Sequence, residues 1–355
     1  MTCSGSDDPQ RRVLLVGDIH GMYDHFMYDS DQFASRLLNS FTSNLLEKAS
    51  YDPKFDVLIH VGDVVTKAPH KHSLKMLAYL ASNNITGVRG NHDQKVIEWH
   101  GWIHWIRGLP GGTRWLRSVY LKWREEKRRG TRLNLWLNKE KQRDSGPWWK
   151  KIPKGWKLFS EHFDIAHDMT DEQYDYLRSL PLMLYVPSAH VFIVHAGLLS
   201  SNPTYPFNHP TQPLARIPSL LSKNSSPARN DTYPLLRRLQ ELSVLNDVPQ
   251  NTVPWNVLNM RTVHDGTISR QVTFPSVYVL LHLFLRDTHG QSWTNVWNHD
   301  MSRCHGFDIH AEGVARDLLH CYPSTVVYGH SASRGLDIKR WSIGLDTGCV
   351  GTIVL

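Results

Sequence analysis

The sequence has 355 residues, 41% of them hydrophobic and 21% charged, with a formal net charge of +7. That balance suits one large domain or two ordinary ones and excludes a disordered, charge-saturated chain. The longest apolar runs, such as Val277 to Leu285 and Val191 to Val194, fall well short of the ~20 residues a membrane-spanning helix needs, and Met1 to Arg12 lacks the apolar centre of a secretory leader. A soluble chain of the cytoplasm is expected.

Residues 1–11 read as a disordered N-terminus and 12–355 as a single domain. Arg12 to Gly17 and Asp56 to Gly62 are short apolar runs ending in Gly-Asp, the pattern of buried strands whose C-terminal loops emerge at a site. Phe33, Leu37, Leu38, Phe41 and Leu45, at three and four spacing, predict a helix between them. Leu74, Leu77, Ala78 and Leu80 predict a second over Ser73 to Ala81, and Thr86 to Arg89 a third strand, giving βαβαβ.

An insertion follows, over about 99–165. Residues 107–157 hold 16 Lys and Arg against 4 Asp and Glu, which leaves 24 against 29 for the rest of the chain. Nine of the thirteen tryptophans lie between Trp99 and Trp156, and Trp99, Trp102 and Trp105 recur at i, i+3, i+6. The spacing predicts helices that pack tryptophan on one face and turn Lys and Arg outward. Clustered cations attract extended phosphates, so a phosphate-rich polyanion is the expected partner. Ordinary solvated surface over a tryptophan core is the competing account. Nucleic-acid binding by base stacking is the weaker reading, because no binding-fold signature accompanies the tryptophans, and no protein partner is indicated.

Thr170 followed by Gln173 predicts a capping box opening a helix through Leu177 to Leu180. His190 to Val194 reads as a buried strand ending at His195, residues 200–232 as a long irregular loop, and Thr325 to Tyr328 as a strand ending at Gly329 and His330. The four cysteines (Cys3, Cys304, Cys321 and Cys349) contain no CxxC pair, so neither a disulfide framework nor a zinc ribbon is expected, and a reducing compartment follows.

Every candidate ligand thus falls just after a strand: Asp18 and His20 in GDIHG, Asp63 in the next Gly-Asp, Asn91 in GNHD, His195 in HAGL and His330 in GHSASRGL. Two divalent cations need carboxylates, imidazoles and an amide oxygen, with one carboxylate bridging ions ~3.5 to 4 Å apart. This set supplies them, and imidazole with carboxylate leaves the metal open among Mn, Zn, Fe and Co.

The order Asp-x-His, Gly-Asp, Gly-Asn-His, His-Ala-Gly, Gly-His over residues 12–350 resembles the calcineurin-like metallophosphoesterases. The resemblance implies an α/β fold, a β-sandwich flanked by helices, here with a basic helical insertion. It implies that Asp18, His20 and Asp63 hold one ion, and Asp63, Asn91, His195 and His330 a second. It makes His92 the general acid for the leaving oxygen. Many relatives end the last motif in GHxH; here Ala332 takes that place, which points to the branch of protein phosphatases and diadenosine tetraphosphatases. Thr66 and Lys67 stand where Ser/Thr phosphatases carry Asp and Arg, which disfavours a phosphoprotein substrate. The blocks HVGDVVTKAP, GVRGNHD, PWNVLNMR and GLDTGC look like fungal members of the diadenosine tetraphosphatase-like group, which includes a vacuolar endopolyphosphatase; the vacuole is the alternative location.

The implied activity is metal-dependent hydrolysis of phosphoanhydrides, first of inorganic polyphosphate, with diadenosine tetraphosphatase or Ser/Thr phosphatase activity as alternatives. Lys67, Arg89, Arg261 and Arg334 are the cations expected to hold the remaining phosphates. An inactive scaffold that binds polyanions is the alternative of another class. The early stop after Cys349, where relatives continue, favours the scaffold; the complete ligand set favours the enzyme.

Overall fold

The computed structural model describes residues 11–26, 45–144, 146–219, 229–264, 267–269, 290–308 and 317–347. Three apolar runs form a parallel sheet in the order β1 (Arg12–Val16), β2 (Asp56–His60), β3 (Thr86–Gly87), with Val16 opposite His60 and Ile59 opposite Thr86. Arg12 pins the start of this register, its guanidinium donating to both carboxylate oxygens of Asp56 at 2.9 and 2.7 Å. Short helices α1 (Tyr23–Phe26) and α2 (Leu45–Lys48) follow β1, and α3 (His70–Ser82) joins β2 to β3. The helix expected through Phe33 to Leu45 lies outside the described residues apart from Leu45, which opens α2.

The insertion is helical. It comprises α4 (Asn91–Gly108), α5 (Gly112–Arg128), α6 (Leu133–Arg143) and α7 (Glu161–Asp168), and α8 (Asp171–Ser179) follows. Trp99, Trp102, Trp115, Trp123, Trp136 and Trp149 are buried together with Met76, Leu77, Phe159 and Phe163, whereas Trp105 is half-exposed. The tryptophans therefore serve mainly as core, which accounts for their density without base stacking. Salt bridges lock the helices: Lys122 to the buried Glu140 at 2.6 Å joins α5 to α6, and Lys127 to Asp164 at 3.8 Å joins α5 to α7. Thr170 caps α8 reciprocally with Gln173, at 2.9 and 3.3 Å.

The second sheet is mixed, in the order β10 (Asp337–Lys339), β11 (Ser342–Gly344), β9 (Thr325–Tyr328), β5 (Val191–Val194), β4 (Met183–Val186); β5, β9 and β11 run parallel. Ile59, Val61 and Val88 of the first sheet and its loops pack against Leu184, Ile193 and Val327 of the second, so the two sheets face each other as a sandwich. The outer face of the second sheet is covered by α9 (Arg229–Asp247), α10 (Pro254–Asn259) and α11 (Trp293–Met301), where Trp293, Trp297, Phe192 and Tyr328 are buried. A small sheet β7 (Thr267–Ser269), β6 (Thr262–His264), β8 (Gln291–Ser292) lies between α10 and α11 in the chain. The loop expected over 200–232 is irregular through residue 219 apart from one short turn, and α9 begins inside it, at Arg229.

One expectation is overturned. Cys304 and Cys321 form a disulfide, because a backbone bridge between Cys304 and Leu319 brings their Cα atoms within 4.7 Å. Their separation of 17 residues carried no sign of that proximity. Among the described residues, no helix is long and apolar enough to cross a membrane.

Candidate metal centre

The carboxyl ends of β1, β2, β3, β5 and β9 open on one crevice between the sheets, and each delivers a polar residue there. Asp18, His20, Asp63, His195 and His330 are all buried. Asp18, His20 and Asp63 form one group, and Asp63, His195 and His330 another, with the candidate ligand atoms of each group within 4.8 Å of one another. Asp63 belongs to both. Asn91, at the first turn of α4, joins the second group through Oδ1, which lies 3.0 Å from His195 Nε2.

The backbone bends hard to bring them together. His20, Asp63, Thr66, Lys67 and His330 all have positive φ, between 49° and 75°. Left-handed backbone at non-glycine residues costs ~1 to 3 kcal/mol each, and it persists where the surrounding structure over-determines it, as it does at functional sites. The neighbouring glycines allow the approach: a Cβ on Gly329 would lie 2.0 Å from Asp18 Oδ1, and one on Gly90 2.1 Å from Asp63 Oδ1.

The donor set fits a cation. His195 donates Nδ1–H to the carbonyl of Val61 at 2.8 Å, so its Nε2 faces Asn91 Oδ1 and, at 3.1 Å, His330 Nδ1. With its Nδ1–H committed to Val61, a neutral His195 has only a lone pair at Nε2, and Asn91 Oδ1 can only accept, so two acceptors face each other 3.0 Å apart. His330 Nε2 is buried with no hydrogen-bond partner. Burial lowers the His195 pKa, but Asp63 and Asp18 outweigh it and raise it to about 10. Burial likewise raises Asp63, yet the facing His195 holds it well below the usual carboxylate range, while burial pushes Asp18 up. A proton drawn onto His195 by two carboxylates is the response expected of a ligand cluster that divalent charge would otherwise neutralise. His20 and His330 are pushed down by burial, His20 to about 4, and so are neutral ligand types.

The outer residues are held in turn. His330 N–H donates to both oxygens of Asp18 at 3.1 and 3.0 Å. Asp93 accepts from the N–H of Gly90 at 2.8 Å and of Val64 at 3.0 Å, tying the Asp63 loop to the start of α4. His60 accepts from Gly62 N–H at 3.2 Å through Nδ1 and donates to the Tyr176 hydroxyl at 2.9 Å, which itself donates to the Ile85 carbonyl at 3.0 Å.

The four expected phosphate-holding cations separate. Lys67 Nζ lies 2.6 Å from His20 Nε2, at the first group. Arg261 donates to Ser331 Oγ at 3.3 Å, and Arg334 to the Arg261 carbonyl at 3.3 Å, which sets both beside His330. Arg89 turns elsewhere, donating to Gln94 and to the carbonyls of Arg178 and Leu180 at 2.5 and 3.0 Å, so it fixes the end of α8. Ala332 lies in an exposed turn. His162, in α7, is the residue that the sequence reading missed: its Nε2 is 2.9 Å from His92 Nδ1.

A family model described as calcineurin-like phosphoesterase matches residues 11–334. The chain is 34% identical over 108 residues to serine/threonine-protein phosphatase 1 of Salmonella typhimurium, covering 30% of this chain and 38% of that protein. It is 27% identical over 188 residues to the symmetrical bis(5'-nucleosyl)-tetraphosphatase of Haemophilus ducreyi, covering 52% of this chain and 45% of that protein. The chain thus spans less than half the length of these two curated relatives. A solved structure provisionally described as a diadenosine tetraphosphatase superposes on 97% of this chain and 86% of its own, with a TM-score of 0.44 and 18% identity, too distant a likeness to carry an argument.

Proposed function

The chain belongs to the calcineurin-like phosphoesterase family, and from that premise we propose that it is a two-metal phosphohydrolase of phosphoanhydride bonds, with inorganic polyphosphate as its first substrate. The observation that carries the two-metal reading is the pair of ligand groups that share Asp63. Asp18, His20 and Asp63 hold one ion; Asp63, Asn91, His195 and His330 hold the other. When bound, the ions supply a water acidified for in-line attack on phosphorus and positive charge against the phosphoryl oxygens. His92, whose backbone N–H is fixed by Asp63 at 2.8 Å, delivers a proton to the leaving oxygen. Lys67, whose Nζ lies at His20, would bind the non-reacting phosphates together with Arg261 and Arg334; Arg89 has no part in this.

The helical insertion at about 99–165 belongs to the same single domain, which we place at 12–355, and it supports a long polyanionic substrate. On α5, Lys122, Lys127, Arg128 and Arg129 are paired with Glu140, Asp164, Glu125 and Glu126. Arg107, Arg114 and Arg117 instead line an open groove of about 750 Å³ together with Thr113 and Ser118. Arg107 stands 16 residues beyond Asn91 on α4, roughly 24 Å along the helix. A ligand that touched both the groove and the metal centre would have to be extended, as a long chain of phosphates is.

A symmetrical dinucleoside tetraphosphate is the second reading, favoured by the Haemophilus relative, whose match covers 52% of this chain. A turnover panel of long polyphosphate, diadenosine tetraphosphate, a phosphopeptide and p-nitrophenyl phosphate, each under Mn²⁺, Zn²⁺, Co²⁺ and Mg²⁺, decides between them. Polyphosphate is expected to show the highest kcat/KM. A preference for the dinucleotide or the phosphopeptide overturns the first reading, and no turnover of any substrate leaves a polyanion-binding scaffold.

A further inference from the structure

A proton donor works only if its ring is held in one orientation and one tautomer, which in histidine is set by whatever bonds the other nitrogen. At Thr66 no carboxylate is available for that purpose. His92 Nδ1 instead lies 3.0 Å from Thr66 Oγ1 and 2.9 Å from His162 Nε2, and the two imidazoles stack at 5.0 Å with their planes 13° apart. His162 is the second residue of α7, next to the fully buried Phe163, and α7 packs against both α3 and α4. Its place is therefore set by helix packing rather than by a loop.

We propose that His162, brought in by the helical insertion, is the positioning residue for His92: its Nε2 accepts the Nδ1–H of His92 and so keeps Nε2 of His92 as the nitrogen that gives up a proton. The inference rests on the reading of His92 as the proton donor. As the P–O bond breaks, its electron pair takes the Nε2 proton of His92. A neutral imidazole is left, with its hydrogen still on Nδ1 and still bonded to His162, and solvent returns the lost proton. His162 can accept throughout because burial, followed by the neighbouring His92, pushes it down to about 4, so that it stays neutral. Thr66 adds a hydroxyl at the same nitrogen but turns freely about its C–O bond, so it cannot by itself define the tautomer.

The test compares phenyl phosphate, whose leaving group needs a proton, with p-nitrophenyl phosphate, whose leaving group needs little. His162→Ala should slow phenyl phosphate by about 10²-fold, the scale of loss when a reacting group is misplaced. It should hardly change p-nitrophenyl phosphate and should leave the metal content intact, and His162→Gln, which keeps an acceptor, should restore most of the rate. Equal losses on both substrates, no loss on either, or a Gln variant as slow as the Ala variant would each overturn the proposal. His92→Asn run on the same pair tests the underlying reading separately: if it does not discriminate between the substrates, His92 is not the proton donor. ¹⁵N NMR of the imidazoles decides the contact without any turnover. His92 should be a single Nδ1–H tautomer in the parent and a mixture in His162→Ala; an unchanged tautomer counts against His162.

Discussion

The carboxylate of Asp63 accepts the backbone N–H of His92 at 2.8 Å, while its other oxygen lies 3.5 Å from His195 Nε2. One side chain thus connects both ligand groups and the start of α4. Substitution there should act on everything at once. Asp63→Asn keeps the size but removes the charge that two ions would share. The variant should lose turnover and retain less than one tightly held ion per chain by elemental analysis. Two retained ions and a parental rate would remove Asp63 from its role as the bridge.

His92 is expected to behave differently. It follows Asn91 and its main chain bonds Asp63; on the ring, Nδ1 faces Thr66 and His162 while Nε2 faces the cluster, 4.0 Å from Asp63 Oδ2. His92→Asn should leave the metal content unchanged and slow hydrolysis by about 10²-fold or more, as when a proton donor is lost without a ligand. Loss of metal in step with activity would make His92 a ligand.

The convergence of Asp18, His20, Asp63, Asn91, His195 and His330 was legible because each stands at the end of an apolar run, and parallel strands in facing sheets bring such ends together. What the spacing could not carry was the direction of long side chains. Arg89, directly before GNHD, looked like a phosphate-holding cation, yet its guanidinium satisfies the carbonyls that end α8. His162 lies 70 residues from His92 in a segment read for its charge and its tryptophans, and its role depends on how α7 packs. The same holds for Cys304 and Cys321, whose bridge follows from a local strand contact that no residue pattern announces. The tryptophans were legible as helical by their spacing, and the structure resolves their competing accounts toward core.

Acid should destabilise this fold through His60. The ring is fully buried, and burial, followed by the charge of His195, lowers its pKa to about 3. In the unfolded chain a histidine titrates near ~6.5. Between those values the unfolded state binds the extra proton, so stability rises with pH and is lost as the pH falls from about 6.5 toward 3, by up to about 1.4 kcal/mol per pH unit for this group. His20 and His162, also lowered to about 4, add to the same acid limb. Urea unfolding of the metal-free protein from pH 7 to 4 should show this slope, and His60→Asn should reduce it by close to one proton. An identical slope in the variant would mean that His60 is charged in the fold.

The arginine groove carries the substrate prediction because its cations differ from their neighbours in one respect. Lys122 is held by the buried Glu140 at 2.6 Å, so replacing it would disturb the α5–α6 packing as much as any ligand. Arg107, Arg114 and Arg117 line a groove open to solvent, and changing all three to Gln leaves the core untouched. Each phosphate contact releases counterions, so losing three should raise KM for long polyphosphate and flatten the dependence of log KM on log salt by about two to three units of slope. Cleavage of p-nitrophenyl phosphate should stay at the parental rate, since that molecule cannot reach ~24 Å from the metal centre along α4. Equal losses on both substrates would make the groove a structural support of the insertion. No change on either would reduce it to ordinary solvated surface, and the preference for long chains would then have to come from Lys67, Arg261 and Arg334 alone.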